Sequence, residues 1–348
     1  MMDALVVEAP SRFDLRRVPI PEPGRHEVLC RVRAVAICGT DTHIIAGEFP
    51  GFWPKEFPFT PGHEWSGEVV SVGQGSADLG WATGDRVAGT SHAACGVCRN
   101  CVEGRYNVCE NYGRDGLHTQ YGHNAPGAYA GYVVHSIKSV FRIPDHLGFD
   151  EAALLDPAAI ALHTNVRGGV RPGDTVAITG AGVMGLLVAE CARAMGAGRV
   201  IVVGRGPRLR KARELGYETV DATAVDPAEA IRGLTDGLGA DVALECAGVP
   251  DTLQWCVRML RRGGRCAVVG IPMSDVALSI QSMVLDEIDL VGVRASAGEM
   301  ARVIPLVEAK RIRVADLITH RYSLREFPAA FKTFVERQDG VLKVIVHP

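Results

Sequence analysis

From Val28 to Ala34 the even-numbered positions are apolar, while Glu27, Arg31 and Arg33 fall between them. That two-residue alternation predicts a half-buried strand over 27–35. Further strands are expected at 4–7, 64–72 and 84–88, with Pro19, Pro21, Pro23, Gly24, Gly73 and Gly75 as punctuation. Strands this close, with no helical pattern between them, predict an all-β, barrel-like first domain. Around 150–165 the texture becomes Ala- and Leu-rich and helical. Beyond Gly173 apolar runs at 176–179, 200–203, 241–245, 265–269 and 288–293 alternate with helical patterns at 183–195, 208–215, 226–235 and 252–260. That βαβ rhythm predicts a doubly wound parallel sheet, with 288–293 at its edge. A helix after about Glu299 and a strand at 340–346 predict a return to the first domain. The expected division is 1–157, 158–296 and 297–348, an α/β architecture without internal repeats.

At 348 residues the chain exceeds what one core supports, in keeping with two domains. Hydrophobic residues at 47% and charged residues at 22% describe an ordinary soluble globular protein. A net charge of −3 gives no electrostatic reason to expect nucleic acid or an anionic membrane as partner. No apolar run is long enough to span a bilayer. The expected partner is a small molecule. No secretory leader is visible, so the ten cysteines are expected in a reducing cytoplasm.

Four of those cysteines, Cys95, Cys98, Cys101 and Cys109, lie within CGVCRNCVEGRYNVC. Four thiolates so spaced suit one tetrahedral Zn²⁺ with no open position, a structural site in a lobe over about 90–112. The alternative is a reactive or disulfide-bonded cluster, which the reducing context disfavours.

Gly180-Ala-Gly182-Val183-Met184-Gly185 follows an apolar strand and opens a helix, the setting a dinucleotide turn requires. Gly180 serves the tight turn, Gly182 the approach of a pyrophosphate, and Gly185 the close packing of helix on strand. The next strand should end in an acid that holds the adenosine ribose. Here it ends in Gly204, followed by Arg205, with Arg208 and Arg210 beyond. Missing acid and added guanidinium favour NADP over NAD; the alternative leaves these arginines solvated at a helix start and NAD in use.

Upstream, Cys38 in ICGTDTH and His63 in GHE supply two ligands suited to a catalytic zinc, which keeps one position open. Asp156, before Pro157, reads on position alone as a helix N-cap.

With ICGTDTH, PGHEWSG, GDRV, the four-cysteine lobe, GAGVMG and Asp156-Pro157, the chain resembles the zinc-containing medium-chain dehydrogenases of the alcohol dehydrogenase superfamily over essentially its whole length. That resemblance implies a GroES-like catalytic domain, a Rossmann domain, two zinc ions per chain, and a homodimer or homotetramer joined through sheet edges. It also implies Asp156 as third zinc ligand, with Glu64 able to exchange with it. Thr40 would hydrogen-bond the alcohol, His43 would pass its proton to solvent, and Asp41 would fix the tautomer of His63. The implied reaction moves hydride between a secondary alcohol and nicotinamide. The substrate expected is a polyol, sugar alcohol or (amino)cyclitol. ICGTDTHI, His92 before the cysteines, and Ile318–Tyr322 favour L-threonine 3-dehydrogenase as the alternative, while the loop 47–58, expected to border the substrate pocket, departs from those enzymes. A relative of the quinone oxidoreductases, binding cofactor without zinc, is the reading from another class.

Overall fold

The computed structural model describes residues 1–348, which form two compact units. One comprises Met1–Asp156, Met300–Glu308 and Val314–Pro348; the other comprises Pro157–Glu299 and Ala309–Arg313.

In the first unit the alternating segment becomes the strand Glu27–Ala36, the hub of a seven-stranded sheet. Its order is Ile318–Ser323, Lys343–His347, Glu27–Ala36, Glu64–Val72, Arg86–Gly89 and Val140–Arg142, with Tyr132–Ser136 also pairing to the hub. All neighbours are antiparallel except the parallel pair Ile318–Ser323 and Lys343–His347. The register sets up the chemistry. Ala36 pairs with Glu64 on one side and with Ile345 on the other, and the Ile37 N–H donates to the Val344 carbonyl at 2.9 Å. One end of the sheet therefore gathers Cys38, His63, Glu64 and Lys343.

The core beneath includes Trp65, Tyr129 and Phe327, all fully buried. Phe13 meets Phe327 and Phe331 edge-on at 5.6 and 5.7 Å. Emptying a buried ring such as Phe327 costs about 3–5 kcal/mol.

Several elements were not anticipated, among them a strand and a helix within the first fifty residues. The strand Arg12–Val18 pairs back on Met2–Ala9, but exposes Asp14, Arg16 and Arg17, so little apolar pattern marks it. Gly39–Ala46 is a helix, starting at Cys38 in a capping box with Asp41 as the reciprocal side chain.

The second unit is a six-stranded parallel sheet ordered Glu218–Asp221, Arg199–Gly204, Thr175–Thr179, Ala240–Glu245, Leu260–Val268, Asp289–Gly292. Strand order reverses at Thr175–Thr179, so its carboxyl end is the switch point where such sheets bind ligands. Val176 to Thr179 are all buried, as a strand covered on both faces must be. Asp289–Gly292 is the edge and is largely exposed. Buried Glu190 accepts from the Tyr217 hydroxyl at 2.6 Å and from the Arg313 backbone and guanidinium at 3.0 Å each, which ties 309–313 into this unit. No helix is long and apolar enough to cross a membrane.

Candidate active site

The four-cysteine lobe lies between the short strands His92–Ala93 and Thr119–Gln120. The sulfurs of Cys95, Cys98, Cys101 and Cys109 all lie within 4.8 Å of one another. Cys95–Cys101, Cys98–Cys109 and Cys95–Cys109 separations are 3.8, 3.9 and 3.6 Å, and all ten cysteines are free. A tetrahedron with bonds of about 2.3 Å has edges of about 3.8 Å, so these four sulfurs fit zinc without rearrangement. Donors are already aimed at them. The Asn111 amide and the Val97 and Cys98 backbone N–H groups point at Cys95 Sγ from 3.4, 3.4 and 3.3 Å. They pull its pKa down to about 6, towards the thiolate a metal needs.

The second cluster is mixed. Sulfur, imidazole nitrogen and carboxylate oxygen of Cys38, His63 and Glu64 lie within 4.8 Å of one another. The Cys38 N–H donates to Asp41 Oδ2 at 2.9 Å, and the same oxygen accepts the Tyr129 hydroxyl at 2.7 Å. The other Asp41 oxygen faces His63 Nδ1 at 3.4 Å, which leaves Nε2 for a metal. Burial disfavours the imidazolium, but Cys38 and Asp41 outweigh it and hold His63 well above its ordinary value. Glu64 forms a buried ion pair with Lys343.

Asp156 is buried and lies outside that group of three. Burial pushes its carboxyl up to about 7, with Glu64 adding to the rise and His63, Lys343 and the Ser91 N–H opposing it. A thiol, an imidazole and two buried carboxyls so crowded form a donor set that a divalent cation fits. Thr40 sits beside it, its hydroxyl oxygen 3.8 Å from Cys38 Sγ, and His43 is one turn further along the same helix.

Two neighbours of this centre, Lys343 and His123, went unread in the sequence, and a third, Trp53, was placed only in a loop bordering the substrate. Lys343 was the one charged residue among the apolar ones of Val341–Val346, and that was its available signal. His123 packs its ring against His63 with centroids 4.4 Å apart, and Trp53 stands edge-on to His123 at 4.9 Å. The Trp53 indole N–H donates to the Tyr112 hydroxyl at 2.7 Å. Nothing in spacing announced these contacts.

In the second unit Gly180 has a φ of +97°, and a Cβ on Gly185 would lie 1.7 Å from the Gly180 carbonyl oxygen. Only glycine fits either place. Gly182 precedes the helix Val183–Ala194, which no side chain caps, so the N–H groups of its first turn, Val183 to Gly185, have no side-chain partner and suit an anion. Glu245 orders the adjoining loop by accepting from the Ala247 and Gly248 N–H groups at 2.8 and 3.0 Å and from the Thr252 hydroxyl at 2.7 Å.

At the ribose position, a Cβ on Gly204 would come within 2.9 Å of Ala181 Cβ, so the turn itself leaves no room for an acid there. Arg205 is the exposed N-cap of Gly206–Glu214, and Arg210 points to solvent. Arg208 is half-buried, and its Nη1 is the only atom within 4 Å of where a Gly182 Cβ would stand, at 3.7 Å.

The alcohol dehydrogenase GroES-like domain family matches residues 24–145, and the zinc-binding dehydrogenase family matches 183–309. Sorbitol dehydrogenase from Bacillus subtilis (strain 168) is 35% identical, over 100% of this chain and 97% of its own length. L-threonine 3-dehydrogenase from Escherichia coli (strain K12) is 33% identical, over 94% of this chain and 94% of its own length. A zinc-binding dehydrogenase structure from Sinorhizobium meliloti 1021, bound to NADP, superposes with a TM-score of 0.91 at 35% identity, covering 100% of this chain and 99% of that one. The chain belongs to the zinc-binding alcohol dehydrogenase family. It is a zinc-dependent oxidoreductase that uses a nicotinamide cofactor.

Proposed function

We infer that this enzyme oxidises a polyhydroxylated secondary alcohol, a polyol, sugar alcohol or (amino)cyclitol, with two zinc ions per chain and NADP preferred over NAD. The observation that carries the reading is the separation of two ligand sets, four sulfurs in the lobe and the Cys38, His63 and Glu64 group at the sheet end, with the buried Asp156 carboxyl near it. The first set supplies all four ligands of a structural zinc; the second mixes ligand types, as a catalytic zinc that keeps one position for substrate does.

Zinc at the second set would supply Lewis acidity that makes an alcohol proton easier to remove, and a nicotinamide cofactor would supply the hydride acceptor. The chain's own residues do the rest. Cys38 and His63 would hold the metal, with Asp156 or Glu64 as third ligand, and Asp41, facing His63 Nδ1, leaves Nε2 for it. The Thr40 hydroxyl orients the alcohol, and His43 takes up its proton and passes it to solvent. The turn Gly180–Gly185 holds the pyrophosphate, with Arg205 and Arg208 placed to take a 2′-phosphate and Arg210 adding positive charge nearby.

Similarity to sorbitol dehydrogenase supports the polyol reading; similarity to L-threonine 3-dehydrogenase supports the amino-alcohol alternative. For association, the edge strand Asp289–Gly292 and exposed Ile280, Val284 and Leu285 beside it favour pairing with a second copy.

Metal analysis and a substrate panel test this. Two zinc ions per chain and turnover of polyols above L-threonine, faster with NADP, are expected. Zinc-free protein would return the quinone-oxidoreductase-like alternative, and preferential turnover of L-threonine would move the assignment to that branch. For cofactor choice the informative variant is Arg205→Asp, since Gly204 cannot carry a side chain. It should shift the kcat/KM ratio towards NAD by about ten- to a hundredfold, as loss of one charge-assisted hydrogen bond predicts. An unchanged ratio would pass the role to Arg208.

A further inference from the structure

The helix Gly39–Ala46 ends in a way that returns the chain onto one of its own side chains. Gly47 is left-handed at φ 72°, and its N–H donates to the carbonyls of His43 and Ile44. A Cβ there would lie 2.7 Å from Pro10 Cγ, so both backbone and packing demand glycine. The Glu48 N–H donates to the His43 carbonyl at 3.0 Å. That second bond folds Glu48 back, and its Oε2 meets His43 Nδ1 at 2.6 Å. The Phe49 ring stands against the imidazole with centroids 6.0 Å apart and is itself backed by Trp53 at 5.2 Å.

A carboxylate only accepts hydrogen bonds, so a contact this short puts the proton of neutral His43 on Nδ1. Nε2 is then the lone-pair nitrogen. Both partners are half exposed, so the pair adds little to folding stability. Its consequence is orientation.

We propose that Glu48 is a positioning residue of the proton relay: it holds His43 as the Nδ1–H tautomer, with Nε2 as the accepting atom. The proposal rests on the relay role given to His43 above. The alcohol proton arrives at Nε2 while the O–H electron pair stays on oxygen. Release of that proton to water restores the neutral Nδ1–H form, so the cycle needs no other reactant. His43 was singled out in the sequence, whereas Glu48 was read only as part of a loop bordering the substrate.

The test uses the zinc-loaded enzyme with ¹⁵N-labelled histidine, the His43 signal being identified by its loss in His43→Gln. Long-range ¹H–¹⁵N correlations should report Nδ1–H in the unmodified protein and a shift towards Nε2–H in Glu48→Ala. Turnover of Glu48→Ala should fall about tenfold, a fraction of what a general base contributes, with KM for alcohol within about twofold. Glu48→Asp should recover part of the rate. In the double variant Glu48→Ala should cost nothing beyond His43→Gln alone, because it acts only through that ring. Nε2–H in the unmodified protein, or an unchanged tautomer and kcat in Glu48→Ala, overturns the proposal. Full turnover in His43→Gln overturns the relay reading itself and the proposal with it, whatever the tautomer.

Discussion

The two ligand clusters of the first unit are built from opposite materials. The lobe draws four like atoms from a span of fifteen residues, organised by backbone N–H groups and one amide. The sheet-end centre draws thiol, imidazole and carboxyl groups from segments far apart in sequence, held by a buried web of Asp41, Tyr129 and Lys343. Without metal the lobe has little to hold it, since Val97 and Val102 face solvent and only Cys109 of its sulfur residues is buried. The centre is already enclosed by the sheet core. A metal bound in the lobe would support the fold, whereas one bound at the centre would be supported by it.

The most severe break should come at the centre. Cys38→Ser or His63→Ala should lower turnover by at least about a thousandfold and leave one zinc per chain, with dinucleotide binding retained. Retention of both metals, or parallel loss of nucleotide binding, would contradict the separation of roles. In the lobe, Cys101→Ser should also remove one zinc, but with a fall in melting temperature of about 5 °C or more. A variant keeping both metals and its melting point would end the reading of the lobe as a structural site.

Lys343→Met probes the web around the centre. It strands the Glu64 carboxylate, a loss of about 3–5 kcal/mol by denaturant unfolding. Adding Glu64→Gln should return much of that; no recovery would mean the two residues do not act as a pair.

The smallest effect sharpens the contrast from outside both clusters. His135 is buried, accepts the Trp65 indole N–H at 3.2 Å, faces Ser139 Oγ at 3.3 Å, and stacks on Tyr121 at 3.7 Å. Burial lowers its pKa to about 3. The unfolded chain therefore takes up a proton near pH 6.5 that the folded one refuses. This contribution is fully present above pH 6.5 and is lost as pH falls towards 3, about 1 kcal/mol between pH 7 and 5.5. Unfolding titrations of His135→Gln should show a shallower slope over that range, and an equal slope would remove His135 as the cause.

Legibility in the sequence followed the same divide. The parallel sheet was readable because strands buried on both faces are continuous apolar runs, as at Val176–Thr179. The lobe was readable because its ligands are neighbours in sequence. Cys38 and His63 were found through motifs, but Lys343, His123 and Trp53 reach the centre only through strand register and packing. Gly204 was read correctly as lacking an acid, yet the reason was hidden: its closeness to Ala181 is a tertiary contact. The helix Gly39–Ala46 was missed because eight residues carry too few turns for a period to show.

The position of Lys343 also bears on how the protein is made. Lys343–His347 lies inside the first unit's sheet, between Glu27–Ala36 and Ile318–Ser323, yet it is translated after the whole span Pro157–Glu299. On the ribosome the nucleotide unit has most of its chain in hand while the catalytic sheet still waits for two strands. Until they arrive the hub strand has an open edge and Glu64 has no cation beside it. A nascent chain stalled after residue 299 would thus expose an unpaired strand next to metal-seeking side chains, a species for chaperones to shield.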